Sequence, residues 1–328
     1  ALNVVYPADV RQDRPVEVFM AHMDVVFSDE SELPLRVEDG RIYCPGVGDD
    51  TACLVCLLLA GKYIAEHVDS PQWREIRRED APGLLLVCNA GEEGLGNLKG
   101  VRKICEDFDD RIERFCTFDS SLSSIVDRAV GSKRFRVRVR TRGGHSYDDF
   151  GNDNAIAGLA SLVGKLYGIR VPEGGKTTYN VGMISGGTSV NTIAQEAEML
   201  YEFRSDRREN LEYMERQFME VFDRAKAEGM DVSFKVIGVR PCEGQVDPEQ
   251  KQALTDWAHR VVEEMTGQAP EHHAGSTDCN IPLSLGIPSV CVGSFRGAGA
   301  HTREEYVETD SLEEGYKVAF GMIFGSRD

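Results

Sequence analysis

The run Gly83-Leu-Leu-Leu-Val-Cys-Asn89 contains no charged residue, and Val16-Glu-Val-Phe-Met-Ala21 is almost as apolar. Runs this short read as strands, and strands without polar alternation are covered on both faces. Between the two, Thr51 to Ala65 reads as a helix; Leu98 to Phe108 reads as the next helix and Arg114 to Phe118 as another short strand. Strand and helix in alternation point to an α/β domain, a mostly parallel sheet with helices on both faces. In such sheets functional groups gather beyond the carboxyl ends of the strands.

The pattern changes near residue 130. Lys133-Arg-Phe-Arg-Val-Arg-Val-Arg140 alternates strictly, as a strand with one solvated face does. A helix over Asn154 to Tyr167, strands over Thr177 to Met183 and Glu196 to Arg204, a helix over Leu211 to Ala227 and a strand over Asp231 to Val239 complete a β-α-β-β-α-β order. That order is the ferredoxin-like plan. After Pro241 the α/β texture returns, with a helix over Pro248 to Thr266 and an apolar strand at Ser289 to Gly293. At 328 residues the chain exceeds what one core usually serves. The expected organisation is an α/β domain of residues 1–130 and 241–328, interrupted by an inserted α+β domain of residues 131–240.

Net charge is −18, which argues against nucleic acid and anionic membranes as partners, since both require a basic face. No apolar stretch reaches the length of a membrane span. Nine cysteines, most of them inside apolar runs, suggest a reducing compartment, and a cytoplasmic location is the expectation. Cys53-Leu-Val-Cys56 has redox spacing, but its apolar neighbours favour a core helix. The chain opens on Ala1 and runs at once into the strand-like Leu-Asn-Val-Val-Tyr6, which leaves room for a segment ahead of it.

Potential metal ligands follow the strands in order: His22-Met-Asp24, Asp49-Asp50, Glu92-Glu93, Asp119 and His301. Carboxylates and imidazoles at buried strand ends are costly to desolvate unless something binds them, and a divalent cation or a pair of them is the simplest binder. His22 and Asp24 share a face if they extend a strand, so one can ligate while the other orients it. Asp49-Asp50 follows Gly46-Val-Gly48; one Asp would suffice to cap the helix, and a second can bridge two metals. Glu92 and Glu93 cannot comfortably ionise together in a dry site, which suggests that one ligates and the other moves a proton. Taken singly, each residue is as readily structural: a cap, an acidic turn, a core histidine.

The ordered set resembles the di-zinc peptidase superfamily that includes tripeptide aminopeptidase, carnosinase-type dipeptidases, carboxypeptidase G, aminoacylase and succinyl-diaminopimelate desuccinylase. The resemblance covers essentially the whole chain. It implies two divalent metal ions per subunit, zinc first with manganese or cobalt as alternatives. It makes His22 and His301 ligands of different metals, Asp49 the bridging carboxylate, and Glu93 and Asp119 the remaining ligands. Glu92 resembles the general base and Asp24 the orienter of His22. In the middle domain, which resembles the family's lid and dimerisation domain, His145 of Gly143-Gly-His-Ser146 resembles a histidine that reaches a neighbouring site and stabilises the oxyanion. Asn191 and Arg204 resemble substrate-binding residues, and Ser276 and Thr277 of Gly275-Ser-Thr-Asp278 resemble part of the loop that shapes the substrate pocket. Two departures stand out: Thr51 occupies a position where the family often has Lys, and the usual N-terminal helical segment does not precede the first strand.

These implications converge on a metallopeptidase of the di- or tripeptidase type, an aminopeptidase acting on short peptides through metal-activated water and a Glu general base, and working as a homodimer. Asp rather than Glu at position 119, and the string Gly-Ala-His301-Thr-Arg-Glu-Glu-Tyr, look closest to the tripeptidase branch. A deacylase of N-acyl amino acids is the alternative within enzymes. A non-catalytic peptide-binding relative is the alternative of another class, and its signature, a missing ligand or base, is not present.

Overall fold

A computed structural model describes residues 4–8, 14–27, 32–71, 73 and 81–325, with side chains from residue 14 onward. The described chain divides into two compact units, residues 1–129 with 243–328, and residues 130–242.

The first unit is built on strands β1 (Val4–Ala8), β2 (Val16–His22), β5 (Gly83–Asn89), β6 (Ile112–Phe118), β7 (Ser124–Ala129), β14 (Glu271–Gly275) and β15 (Ser289–Val292). They lie in the order β1-β5-β2-β6-β15-β7-β14. The inner pairs β5-β2, β2-β6 and β6-β15 are parallel, whereas β1 and β7 run antiparallel to their inner neighbours. The uninterrupted apolar runs are explained by burial on both sides. Val16, Val18 and Met20 pack with Leu85 and Val87 in one cluster with Val101 and Ile104 of helix α2 (Lys99–Phe108) and Ile281 of α6 (Asn280–Ser284). Phe19, Leu84 and Leu86 point the other way, to Leu57 and Ile64 of α1 (Cys53–His67), Trp257 of α5 (Pro248–Thr266) and Met322 of α7 (Ser311–Phe324). Asp247 starts α5 by accepting from the backbone of Glu249 and Gln250, with Pro248 at the first helical position.

A small sheet was not anticipated from the sequence. β3 (Arg36–Glu38) pairs with β4 (Arg41–Tyr43), β4 pairs with β17 (Tyr306–Glu308), and β17 pairs with the two-residue β16 (Gly297–Ala298), all antiparallel. Its strands are too short and too charged to carry a periodic signal. Its consequence is large, because the β17–β4 pairing sets the segment before Tyr306 beside the loop after Tyr43.

The second unit contains β8 (Gly131–Arg140), β9 (Gly144–His145), α3 (Ala155–Tyr167), β10 (Thr177–Gly186), β11 (Thr192–Ile193), β12 (Glu196–Ser205), α4 (Arg208–Ala227) and β13 (Asp231–Arg240). Its sheet has the order β10-β12-β8-β13 and is antiparallel throughout. One face buries Phe135, Val137, Met199 and Phe203 against Leu159 and Leu162 of α3 and Phe218 and Phe222 of α4. The ring centroids of Phe135 and Phe218 lie 4.2 Å apart. The other face carries the alternating arginines: Arg138 donates to Glu198 at 2.8 Å and Arg140 to Glu196 at 2.9 Å across the β8–β12 pair. Among the described residues no helix is long and apolar enough to cross a membrane, and all nine cysteines are free.

Candidate metal centre

Three parallel neighbours, β5, β2 and β6, end side by side, and the chain delivers His22, Glu92, Glu93 and Asp119 just at or beyond those ends. Asp49 arrives from the tight turn ahead of α1, and His301 from the loop before β17. The structure brings these six side chains together. His22, Asp49 and Asp119 form one group with donor atoms within 4.8 Å of one another, and Asp49, Glu93 and His301 form a second; Glu92 joins His22 and Glu93 in a third.

Asp49 belongs to the first two groups and uses a different oxygen in each. Its Oδ1 lies 3.0 Å from His22 Nε2 and its Oδ2 lies 3.0 Å from His301 Nε2. Glu93 Oε1 is 3.4 Å from His301 Nε2, and Asp119 Oδ1 is 4.0 Å from His22 Nε2. Donors around one small cation at 2.0–2.2 Å are spaced on this scale. His301 adopts φ +66°, a left-handed conformation that a histidine rarely takes and that is often met at functional sites.

The donor set also fits a cation electrostatically. His22 Nε2 and Glu93 Oε1 are buried and make no hydrogen bond of acceptable geometry. Such orphaned buried atoms cost free energy unless something is bound to them. Burial pushes Asp119 well above the usual carboxylate range; His22 opposes this, and Asp50, Glu92 and Asp49 add to it. Burial, with Asp49 and Glu92 beside it, pushes Glu93 up to about 7. His22 shows the opposite response: burial would lower it, but the charge on Asp50 and the Asp49 carboxylate facing its Nε2 hold the imidazole well above its ordinary value. For Asp49, too, burial acts upward and is outweighed, here by the two histidines, which hold it low. These acids crowd around too little positive charge, and divalent cations would supply what is missing.

The supporting contacts differ in part from expectation. His22 Nδ1 meets the backbone carbonyl of Asp24 at 2.9 Å, while the Asp24 carboxylate stands 3.8 Å away. Asp24 orients His22 through its main chain. Its carboxylate instead accepts from the backbone of Gly91 at 2.8 Å and Glu93 at 3.0 Å, pinning the turn that presents the two glutamates. Asp50 lies outside the three groups; it is buried and accepts from the His22 backbone at 2.8 Å.

Sequence reading missed Glu305. It is 2% exposed, and its carboxylate accepts from the backbone of Gly46 at 2.7 Å, Gly48 at 2.9 Å and Asp49 at 2.8 Å. One side chain thus shapes the whole turn that carries the shared carboxylate. Asp278 was also missed as a contact: it accepts from Asn89 at 2.6 Å, joining the end of β5 to the Gly275–Asp278 loop. Within that loop Ser276 is partly buried. Thr277 is buried, and its hydroxyl accepts from the Cys279 backbone, so it holds its own turn.

The second unit holds the other three candidates. The two-residue ladder β9–β11 sets His145 opposite Thr192, next to Asn191. His145 is half-exposed, and the backbone N–H groups of Tyr147 and Asp148 point at its Nδ1 from 3.3 and 3.4 Å. The Asp148 carboxylate stands 3.3 Å from the same nitrogen. The Asn191 side chain accepts from Ser189, and its carbonyl from the Ser146 backbone. The guanidinium of Arg204 is already engaged: Nε donates to Glu202 Oε1 at 2.8 Å and Nη2 to Oε2 at 3.2 Å. The fork expected for a substrate carboxylate is closed on an acid of the same strand.

Known proteins share both the sequence pattern and the fold. A profile of peptidase family M20/M25/M40 matches residues 18–324. A p-aminobenzoyl-glutamate hydrolase homolog of Haemophilus influenzae is 25% identical over 266 residues, 73% of this chain and 59% of that protein. The chain therefore spans less than two thirds of that relative's length. Succinyl-diaminopimelate desuccinylase of Nitrosomonas eutropha is 25% identical over 323 residues, 92% of this chain and 80% of the relative. The crystal structure of aminopeptidase PepT from Bacillus cereus superposes with a TM-score of 0.69 at 22% identity, covering 98% of this chain and 83% of that one.

Proposed function

The chain belongs to peptidase family M20/M25/M40 and is a hydrolase, and from that premise we propose that it is a metal-dependent aminopeptidase acting on short peptides, of the di- or tripeptidase type. The observation that carries the chemistry is the Asp49 carboxylate, offered to His22 through one oxygen and to His301 through the other. We assign one cation to His22, Asp49 and Asp119 and a second to His301, Asp49 and Glu93. Zinc suits this mixed imidazole and carboxylate set, with manganese and cobalt as alternatives. Two bound cations supply Lewis acidity toward the scissile carbonyl and lower the pKa of a water molecule to about 7.

Glu92 stands in the group with His22 and Glu93 but outside the two groups that share Asp49. We assign it the role of general base, taking the proton of the attacking water and passing it to the leaving nitrogen. Asp24 and Glu305 are positioning residues: they hold the Glu92–Glu93 turn and the Asp49 turn through backbone N–H groups. We assign His145 to the tetrahedral oxyanion, in the role the sequence resemblance gives it within a homodimer formed through the second unit. Asn191, Ser276 and Thr277 are assigned to the substrate side on the same ground. Arg204 can join them only by exchanging Glu202 for a substrate carboxylate. A cytoplasmic site of action is part of the same reading.

The aminopeptidase assignment is supported by Asp at position 119 and by the fold shared with an aminopeptidase. The second reading, a deacylase of N-acyl amino acids, is supported by the similarity to a desuccinylase. Amino-acid release from Ala-Ala, Ala-Ala-Ala, N-acetyl-Ala-Ala-Ala and N-acetyl-Ala, by chelated protein with and without added zinc or manganese, separates the two. Metal-dependent cleavage confined to the free-amine peptides is the expected result; cleavage of N-acetyl-Ala alone transfers the protein to the deacylases.

A further inference from the structure

Beside the metal centre lies a cavity of about 220 Å³ that no step above uses. Asp49 and Asp119 line it together with Ser121, Phe295, Ala298 and Ala300, and Glu305 lies beneath the Asp49 turn. That volume equals roughly seven waters at about 30 Å³ each, more than an alanine methyl fills. Two of the lining residues are anchored. A Cβ on Gly48 would lie 2.6 Å from the Phe295 ring, so the ring rests directly on the glycine turn. The Phe295 backbone bridges to Ser121, and its carbonyl accepts from Leu122 at 2.8 Å. Ala298 is held in the β16–β17 pair.

Two features say what such a pocket receives. First, neither Glu92 nor Glu93 lines it. The leaving nitrogen has to reach Glu92 for its proton, which favours the acyl side of the scissile bond for a pocket away from both glutamates. Second, its charged lining residues are all acidic (Asp49, Asp119 and Glu305), and none of the described residues lining it is Lys, Arg or His. Both oxygens of Glu305 already serve backbone donors. Beyond Glu305 and the two aspartates assigned to the cations, the lining is small, hydroxyl or aromatic, and it offers an acidic side chain no basic partner of its own.

We propose that this pocket is the acyl-side specificity pocket, and that it selects an uncharged apolar side chain larger than alanine while rejecting acidic ones. The inference rests on the peptidase reading for the identity of the acyl group, an N-terminal residue. It also predicts that a succinyl group, the acyl group named for the desuccinylase relative, is a poor fit in this chain.

The test measures kcat/KM of the metal-loaded protein on X-Ala-Ala with X as Ala, Leu or Glu. Leu is expected to exceed Ala by about tenfold and Glu by more. Two fillings of the cavity, Ala298→Leu and Ala300→Leu, are each expected to lower the Leu-to-Ala ratio at least about tenfold, and Ser121→Arg is expected to raise Glu relative to Leu. Equal rates for Leu and Glu in the parent protein, or an unchanged Leu-to-Ala ratio in both fillings, overturn the proposal. If free peptides are inert and N-acyl amino acids are cleaved, the peptidase reading falls alone, and the pocket is judged on 4-methylpentanoyl-Ala against succinyl-Ala. Calorimetric binding of the hydroxamates of leucine, alanine and glutamate reads the same order without turnover; glutamate hydroxamate binding as tightly as leucine hydroxamate overturns the proposal.

Discussion

The two units of this molecule handle acidic side chains in opposite ways. On the open face of the second unit's sheet, Glu198 and Glu196 each sit between two arginines: Glu198 faces Arg136 at 3.3 Å and Arg138 at 2.8 Å, and Glu196 faces Arg138 at 3.3 Å and Arg140 at 2.9 Å. At the strand ends of the first unit, Asp49, Glu92, Glu93 and Asp119 converge on two imidazoles. The first arrangement is complete as it stands and serves the sheet. The second is complete only with cations. Composition cannot distinguish the two, since both are dense in charge; the difference lies in whether each acid has its counter-charge within the chain.

The contrast is most vulnerable at Asp49. Asp49→Ala is expected to reduce bound metal from two ions per chain to one or none, measured by inductively coupled plasma mass spectrometry, and activity to background. Two ions retained would mean that the shared carboxylate does not bridge. Glu92→Gln is expected to cut kcat about 10²–10⁴-fold while both metals remain bound; loss of metal along with rate would make Glu92 a ligand instead. Glu305→Gln keeps the shape of the side chain but weakens its grip on three N–H groups. It should lower metal affinity about 10–100-fold, the usual effect of disturbing groups behind the ligands, and a chelator competition titration reads it. At the small end, Arg138→Ala should cost at most about 1 kcal/mol in urea unfolding, because the ladder is exposed and screened. It should leave metal content unchanged, and a larger loss would show that the ladder is more than a solvated face.

Much of this was legible in the sequence because it depends on local pattern. Gly83–Asn89 was bounded correctly, since aliphatic runs between glycine and a polar end admit few other readings. Helix α3 begins at the predicted place because Asn154 caps it, accepting from Ile156 and Ala157. The six side chains that converge could be singled out because each follows a strand or a glycine turn. What stayed hidden depends on contacts between distant segments. Nothing in the string Arg303-Glu-Glu305 distinguishes the exposed Glu304 from the buried Glu305, and only the β17–β4 pairing decides it. The same holds for Asp24, whose carboxylate was expected at His22 and lies instead on the 91–93 turn: spacing announces that an acid is near, not which of several N–H groups it will find. Arg204 is the converse case, a residue whose fork suggested a ligand and whose strand neighbour Glu202 occupies it.

The hold of Glu305 on the Asp49 turn has a consequence for how the protein comes into being. The Asp49 N–H and the acid that receives it are separated by 256 residues of chain. While the polypeptide is being made, the strands bearing His22, Glu92 and Asp119 emerge first, without the residue that shapes the Asp49 turn and without His301. The site therefore closes only when the two distant ends of the first unit's sequence meet.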